Sequence, residues 1–164
     1  MHNLQQQTRK EWYVHWLDRC YANAEMSTCA QGRRVGAVIV APDMRSLSEG
    51  FNGVPAGYPH PSTCARKEAG VASGQCLDMC PCAHAESNAI DNAARHGVAI
   101  KGAYLYCTTK PCVFCMGRIA NAGISKVFYV EEYSHHLTDA IAFHANIQLI
   151  NLKEKYDAAK QRSI

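Results

Sequence analysis

The residues with the clearest capacity for chemistry are His84, Glu86, Cys112 and Cys115, which occur in the segments HAE and PCVFC. Cys112 and Cys115 are three positions apart, so on one helix they share a face and can bind one ion. A histidine adds a third ligand, and a Cys₂His set leaves the fourth position of a tetrahedral zinc ion open to water. That arrangement is typical of catalytic rather than structural zinc.

Glu86 is two residues beyond the histidine and is predicted to act as general base beside the metal position, and then to return the proton to the substrate. Two thiolates offset the charge of Zn²⁺, so the partial positive charge of helix N-termini should help to acidify the water. The predicted chemistry is attack of hydroxide on an amidine-like ring carbon, with loss of ammonia. A purely structural zinc site is the alternative, and it would leave Glu86 without a role.

The combined pattern H-x-E…P-C-x-x-C is a known signature of zinc-dependent nucleobase deaminases. A C-x-x-C pair alone is much weaker, because it also occurs in redox and structural zinc sites. The 27 residues between His84 and Cys112 can accommodate a helix, a strand and two loops. Two helix starts can therefore meet in space.

Two helices are expected to carry these motifs. One is predicted over His84–His96, ending at Gly97, and the other runs from Pro111 to Ala122. A short apolar strand is predicted between them, over Ala103–Cys107.

Predicted helices and strands also alternate along the rest of the chain. Because helices alternate with short apolar strands, we expect a three-layer α/β/α sandwich. It should form one domain over residues 1–164, with a cysteine-rich insertion at about 58–82. The other predicted elements are a helix over Lys10–Ala24, strands over Val35–Val40, Ser46–Asn52, Lys126–Val130 and Ile147–Ile150, a helix over His135–Phe143, and a polar, solvated helix over about 152–162.

Composition narrows the function classes. Of the 164 residues, 48% are hydrophobic and 19% charged, which argues against disorder. The formal charge of +3 suits an anionic small molecule better than a nucleic-acid coat. The purest apolar run, Val35–Ala41, is far shorter than a membrane span. The first residues contain no apolar signal region, so a cytoplasmic location is expected, in the host cytoplasm if the protein is viral.

The unusual feature of the composition is its nine cysteines. An odd count without a secretion signal disfavours a disulfide framework and favours metal binding. Cys20 and Cys107 are interpreted as small buried hydrophobic residues. Five more remain beyond the catalytic pair: Cys29, Cys64, Cys76, Cys80 and Cys82.

From about Ser27 to Tyr133 the sequence resembles the deoxycytidylate (dCMP) deaminases, phage members included. The resemblance implies a cytidine-deaminase-like fold with a five-stranded mixed sheet, and hydrolysis of dCMP to dUMP for dTMP synthesis. It also implies a homo-oligomer, commonly a hexamer, with dCTP as activator and dTTP as inhibitor, to which Mg²⁺ could be bound. The segments that carry it are STC (27–29), VGAVIV (35–40), GFNGVPAG (50–57), HAESNAI (84–90), PCVFC (111–115) and AGISKVFY (122–129).

The resemblance also implies substrate-binding residues. Asn52 matches the family asparagine that contacts substrate, although an Asn-Gly pair is also a turn former. Arg95 falls at an arginine position of some phage members, with plain surface charge as the alternative. Candidates for the 5′-phosphate, chosen by location, are Arg33, Arg34, Lys110, Tyr133 and Ser134.

A second, structural zinc ion is a further implication, since some family members carry one in corresponding regions. Cys29, Cys64 and Cys80 occur where related sequences have cysteines. The fourth ligand is Cys82, Cys76 or His60, with Cys82 preferred. Such a site would anchor the insertion, which has little apolar surface to bury.

Two other functions compete with this one. A tRNA adenosine deaminase or single-strand cytidine deaminase shares the zinc chemistry, but no segment combines clustered basic residues with interleaved aromatics, as strand-binding grooves do. A non-catalytic zinc-binding module would have no need of Glu86. We therefore expect a nucleotide substrate, with no membrane and no nucleic-acid partner.

Overall fold

The computed structural model describes residues 10–29, 32–72, 75–133 and 135–162. Its helices and strands alternate as the sequence predicts. In chain order they are α1 (Trp12–Glu25), β1 (Gly36–Val40), β2 (Ser46–Phe51), α2 (Ala65–Glu68), α3 (Ala85–Arg95), β3 (Tyr104–Thr109), α4 (Val113–Asn121), β4 (Lys126–Glu131), α5 (His136–His144), β5 (Gln148–Asn151) and α6 (Lys153–Gln161).

The five strands form one mixed sheet in the order β2-β1-β3-β4-β5. β1 pairs antiparallel with both β2 and β3, whereas β3, β4 and β5 run parallel. The parallel connections pass through α4 and α5, as crossovers between parallel strands require. The predicted fold class is confirmed.

Each face of the sheet is covered by helices. Along β1, Ala37 and Ile39 join the core beneath α3 and α4, while Val38 and Val40 join the core beneath α1 and α6. All five residues of β1 are buried, which explains why this strand is continuously apolar rather than alternating.

Several predicted boundaries need correction. α1 begins at Trp12 rather than Lys10, and β3 continues to Thr109. α4 does not open at Pro111, because Cys112 is its N-cap and the helix begins at Val113. These shifts are of the size expected for element ends.

The C-terminal helix is not wholly solvated. Tyr156 of α6 is buried, its ring stacks on Tyr21 at 5.5 Å, and its hydroxyl donates to Asp18 at 2.6 Å. The sequence pattern did not indicate this buried position, because most of the residues around Tyr156 are charged. No helix in the described parts of the chain has the length and apolar character to cross a membrane.

Candidate active site

The predicted ligands lie at the starts of two neighbouring helices. His84 is the N-cap of α3 and Cys112 is the N-cap of α4, and both have extended backbone torsions. Neither side chain caps its own helix. Both are therefore available to a common point between the two helices, and Cys115 reaches it from the first turn of α4.

Four hydrogen bonds to β2 and to the residues just after it fix the position of α3. Ser48 Oγ donates to Ala89 O at 2.7 Å, and Asn88 Nδ2 donates to Phe51 O at 2.7 Å. Just before the helix, Gly53 and Ala83 exchange two backbone hydrogen bonds, of 3.1 and 2.8 Å. His84 follows directly, so the sheet sets its position.

The three donor atoms fit a tetrahedral zinc ion. His84 Nδ1 lies 3.2 Å from Cys112 Sγ and 3.4 Å from Cys115 Sγ, and all three atoms lie within 4.8 Å of one another. With Zn–S of about 2.3 Å and Zn–N of about 2.0 Å, tetrahedral ligands of these types are about 3.5 Å apart. The residues predicted as metal ligands are thus brought together at the required spacing.

Glu86 lies beside this cluster on the first turn of α3. It is buried, with 4% of its surface exposed, and Cys115 Sγ is 3.6 Å from its Oε2. Burial raises the pKa of its carboxyl above the usual value, because the charged form loses hydration. A carboxyl with a raised pKa next to the metal position is suited to proton transfer near neutral pH.

The cluster itself favours a thiolate. A hydrogen bond from Cys115 lowers the pKa of Cys112 to about 4, with further support from His84. The hydrogen bond that Cys115 donates to Cys112 raises the pKa of Cys115, and burial adds to this effect. The hydrogen bond with Cys112 raises the pKa of His84. A bound cation would replace these shared protons and leave both sulfurs as thiolates.

A cavity opens onto His84 and Glu86, and three predicted substrate residues line it: Asn52, Arg33 and Tyr133. Asn52 is buried, and its amide already has two backbone partners, accepting from Val35 N at 2.7 Å and donating to Arg33 O at 2.9 Å. Asn52 therefore fixes the 33–35 segment in the cavity wall. This structural role was not anticipated from the sequence.

The other phosphate candidates differ in their placement. Lys110 lines the cavity but is buried and ion-paired, with Nζ 2.8 Å from Asp139 and 3.8 Å from Glu132. Arg34 is exposed and does not line this cavity. Ser134 lies outside the described residues.

Arg95 is not brought to the site. It is the last residue of α3, about 15 Å along the axis from the helix start. Its exposed position fits the plain surface-charge alternative.

Sequence reasoning missed Arg66. This residue of α2 lines the same cavity as His84, Cys112 and Glu86. Its charge is one of the influences that lower the pKa of His84, although the net shift of that pKa is upward. Arg66 lies in the irregular cysteine-rich segment, where no periodic pattern indicates which side chains turn inward.

The four cysteines predicted for a second zinc site line one adjacent cavity: Cys29, Cys64, Cys80 and Cys82. Burial, together with the neighbouring thiols of Cys80 and Cys29, raises the pKa of Cys82 to about 12. Within the described ranges, however, the His84 cluster is the one group of three or more such donors gathered within 4.8 Å. The alternative ligands Cys76 and His60 are exposed and do not line this cavity.

The two cysteines interpreted as core residues are confirmed as such. Cys20 and Cys107 are fully buried, and their thiols donate to the backbone oxygens of Tyr106 and Phe128.

Comparison with known proteins identifies the family of the chain. The sequence profile of the cytidine and deoxycytidylate deaminase zinc-binding region matches residues 10–131. The deoxycytidylate deaminase of Mycobacterium phage D29 is 37% identical over 130 residues, which cover 76% of this chain and 98% of that protein. The deoxycytidylate deaminase of Schizosaccharomyces pombe is 36% identical over 128 residues, covering 77% of this chain but 39% of the yeast protein.

A solved structure is also similar. The crystal structure of dCMP deaminase from cyanophage S-TIM5 in complex with dCMP and dUMP matches with a TM-score of 0.72 and 28% identity, over 88% of this chain and 99% of that one. The chain therefore belongs to the cytidine and deoxycytidylate deaminase zinc-binding family.

Proposed function

We propose that this protein is a zinc-dependent deaminase that hydrolyses dCMP to dUMP and ammonia. The observation that carries the proposal is the convergence of His84, Cys112 and Cys115 at zinc-ligand spacing, with the Glu86 carboxyl beside them in a cavity. The names of the phage D29 and cyanophage S-TIM5 relatives support dCMP as the substrate.

The roles follow from the geometry. A zinc ion held by the three ligands would lower the pKa of a water in its fourth position and so supply a nucleophile near neutral pH. Glu86 would accept one proton of the attacking water as the water oxygen adds to C4 of the pyrimidine, and would pass that proton to N3. It would then take the second proton from the new hydroxyl on C4 and pass it to the departing amine. The C4–N bond breaks, and the products are dUMP and ammonia.

Three residues are proposed to bind the nucleotide. The Asn52 amide retains one free N–H and one free lone pair beyond its backbone bonds, enough for a sugar hydroxyl or a pyrimidine edge. Arg33 and Tyr133 line the same cavity and offer donors to the phosphate.

Glu86→Gln tests the mechanism. The substitution keeps size and hydrogen bonding but cannot accept the proton, so turnover should fall by about 10²- to 10⁴-fold while the zinc content stays that of wild type. Ammonia release and metal analysis measure the two effects. The control is Glu154→Gln, which changes an exposed glutamate of α6 and should leave both unchanged.

The substrate panel separates this proposal from its competitors. Zinc-loaded wild-type protein should release ammonia from dCMP in preference to deoxycytidine, dCTP and cytidine. Preference for single-stranded oligonucleotides or a tRNA anticodon stem would instead identify a nucleic-acid deaminase. No release from any of them would identify a non-catalytic zinc module.

A second zinc ion is proposed at the four cysteines Cys29, Cys64, Cys80 and Cys82. Their shared cavity and the proximity of three of the thiols support it, and binding would draw the four sulfurs closer. Metal analysis should then find about two zinc ions per chain, and Cys29→Ser should lose one of them and destabilise the fold. One zinc per chain, with Cys29→Ser harmless, would contradict this site.

Regulation and assembly complete the proposal. By resemblance to the family, dCTP with Mg²⁺ activates the enzyme, dTTP inhibits it, and the dUMP formed supplies dTMP synthesis. The same resemblance makes the assembly a homohexamer, and the exposure of Phe114 on α4 (67%) and Phe143 on α5 (77%) is consistent with a surface buried between subunits. Rate measurements with each triphosphate and light scattering of the zinc-loaded protein test these points.

A further inference from the structure

Arg66 is a half-buried residue that lines the active-site cavity. Its Nη2 donates to Ala72 O at 3.1 Å, which holds the guanidinium in place. Its Nε is buried and has no partner among the described residues. A buried donor without an acceptor is costly. An acceptor supplied by a ligand in the cavity would stabilise this guanidinium.

The other cations of the cavity are less suited to this role. Lys110 is neutralised by Asp139 and Glu132. Arg33 is largely exposed, so water screens its charge. Within residues 10–29, 32–72, 75–133 and 135–162, no ion pair involves Arg66. It is thus a half-buried cation whose charge remains available to an anion.

We propose that Arg66 binds the 5′-phosphate of the substrate and makes the enzyme select nucleoside monophosphates over nucleosides. This inference rests on the proposed deamination of dCMP. The hydrogen bond from Nη2 to Ala72 O restrains the guanidinium on the cavity wall, and a planar guanidinium suits the recognition of phosphate oxygens. The cysteine-rich segment would then contribute directly to substrate choice, since it supplies α2.

The test compares dCMP with deoxycytidine, which lacks the phosphate. For Arg66→Ala, kcat/KM for dCMP should fall by about 10- to 100-fold, as expected for a lost charged hydrogen bond, chiefly through KM. With deoxycytidine, kcat/KM should remain that of wild type. Arg66→Lys should recover part of the loss, since it keeps the charge but not the fork. Lys67→Ala, which removes the adjacent exposed lysine of α2, is the matched control.

Binding of the product provides a readout without turnover. Calorimetry should show that dUMP binds Arg66→Ala more weakly than wild type by the same factor, with no change for deoxyuridine. If Arg66→Ala weakens the binding of deoxyuridine and dUMP by the same factor, the residue serves only to hold Ala72, and the assignment is wrong. If wild-type protein prefers dCMP and Arg66→Ala keeps that preference, the assignment fails while the deaminase proposal stands. A wild-type protein that does not deaminate dCMP would overturn both.

Discussion

Gly50 offers a direct test of how the sheet positions the metal ligands. It lies on β2 beneath the first turns of α3, where a Cβ would be 2.4 Å from Ala85 O and 2.5 Å from Ala89 N. Nonbonded heavy atoms pack at about 3.5 Å or more. Gly50→Ala must therefore displace the backbone of α3 by about 1 Å, because no flexible side chain is available to move instead.

A displacement of that size exceeds what the site tolerates. Metal–ligand distances vary by only about 0.2 Å around their ideal values, and His84 is the N-cap of the displaced helix. We expect zinc affinity to fall by about 10- to 100-fold and kcat/KM for dCMP by about 100-fold. Overpacking should also cost about 1–3 kcal/mol of folding free energy, which lowers Tm by roughly 2–4 °C per kcal/mol.

Gly117→Ala is the matched control. This glycine lies in α4, which carries Cys115, yet its Cβ would meet nothing within 4 Å. The alanine should be neutral or stabilise the protein by about 0.5–1 kcal/mol, with zinc binding and activity intact. Competitive zinc titration, urea unfolding and ammonia release measure the three quantities. A folded Gly50→Ala protein with wild-type zinc affinity would refute the idea that this close approach positions His84.

Two further predictions concern the opposite face of the sheet. Leu17 is fully buried in the core beneath α1, so Leu17→Ala should lower the free energy of unfolding by about 2–5 kcal/mol in urea titration; a loss below 1 kcal/mol would contradict tight packing there. Burial alone would raise the pKa of Asp18, but hydrogen bonds from Lys10, Tyr156 and Lys160 outweigh it, and the net pKa is lowered from 3.8. The resulting stabilisation is complete above that unfolded value and is lost as the pH falls through the lower folded one. Asp18→Asn should therefore flatten the acid limb of stability against pH, and an unchanged limb would contradict this pairing.

The residues proposed as metal ligands could be paired from the sequence because the spacing within each pair depends on local geometry. Residues at the N-cap and in the first turn of a helix occupy fixed relative positions, so His84 with Glu86, and Cys112 with Cys115, each define half of the site. The glycines after each helix marked where these elements end, and Gly97 indeed adopts a left-handed φ of 65°. The sequence does not show that these two pairs lie side by side, because that depends on how the sheet places α3 and α4.

The cavity wall could not be predicted in the same way. Asn52 fixes the backbone of residues 33–35 through two hydrogen bonds, and these depend on the hairpin returning to the start of β1. Arg66 comes from a segment with one short helix and no periodic pattern, so only the three-dimensional path of the chain brings it inward. Lys110 was a reasonable phosphate candidate by location, but its partner Asp139 lies 29 positions away on α5.

Charge balance explains why such distant cations belong in this cavity. With a zinc ion bound, two thiolates and an ionised Glu86 carboxylate would carry three negative charges, of which the ion would offset two. The proposed nucleotide monophosphate would add further negative charge to the same cavity. The N-termini of α3 and α4 supply partial positive charge to the ligands, but this effect decays within one turn and does not extend to a phosphate. Cations that line the cavity would serve the phosphate, and Arg33 and Arg66 are the described arginines that line it and have no ion pair.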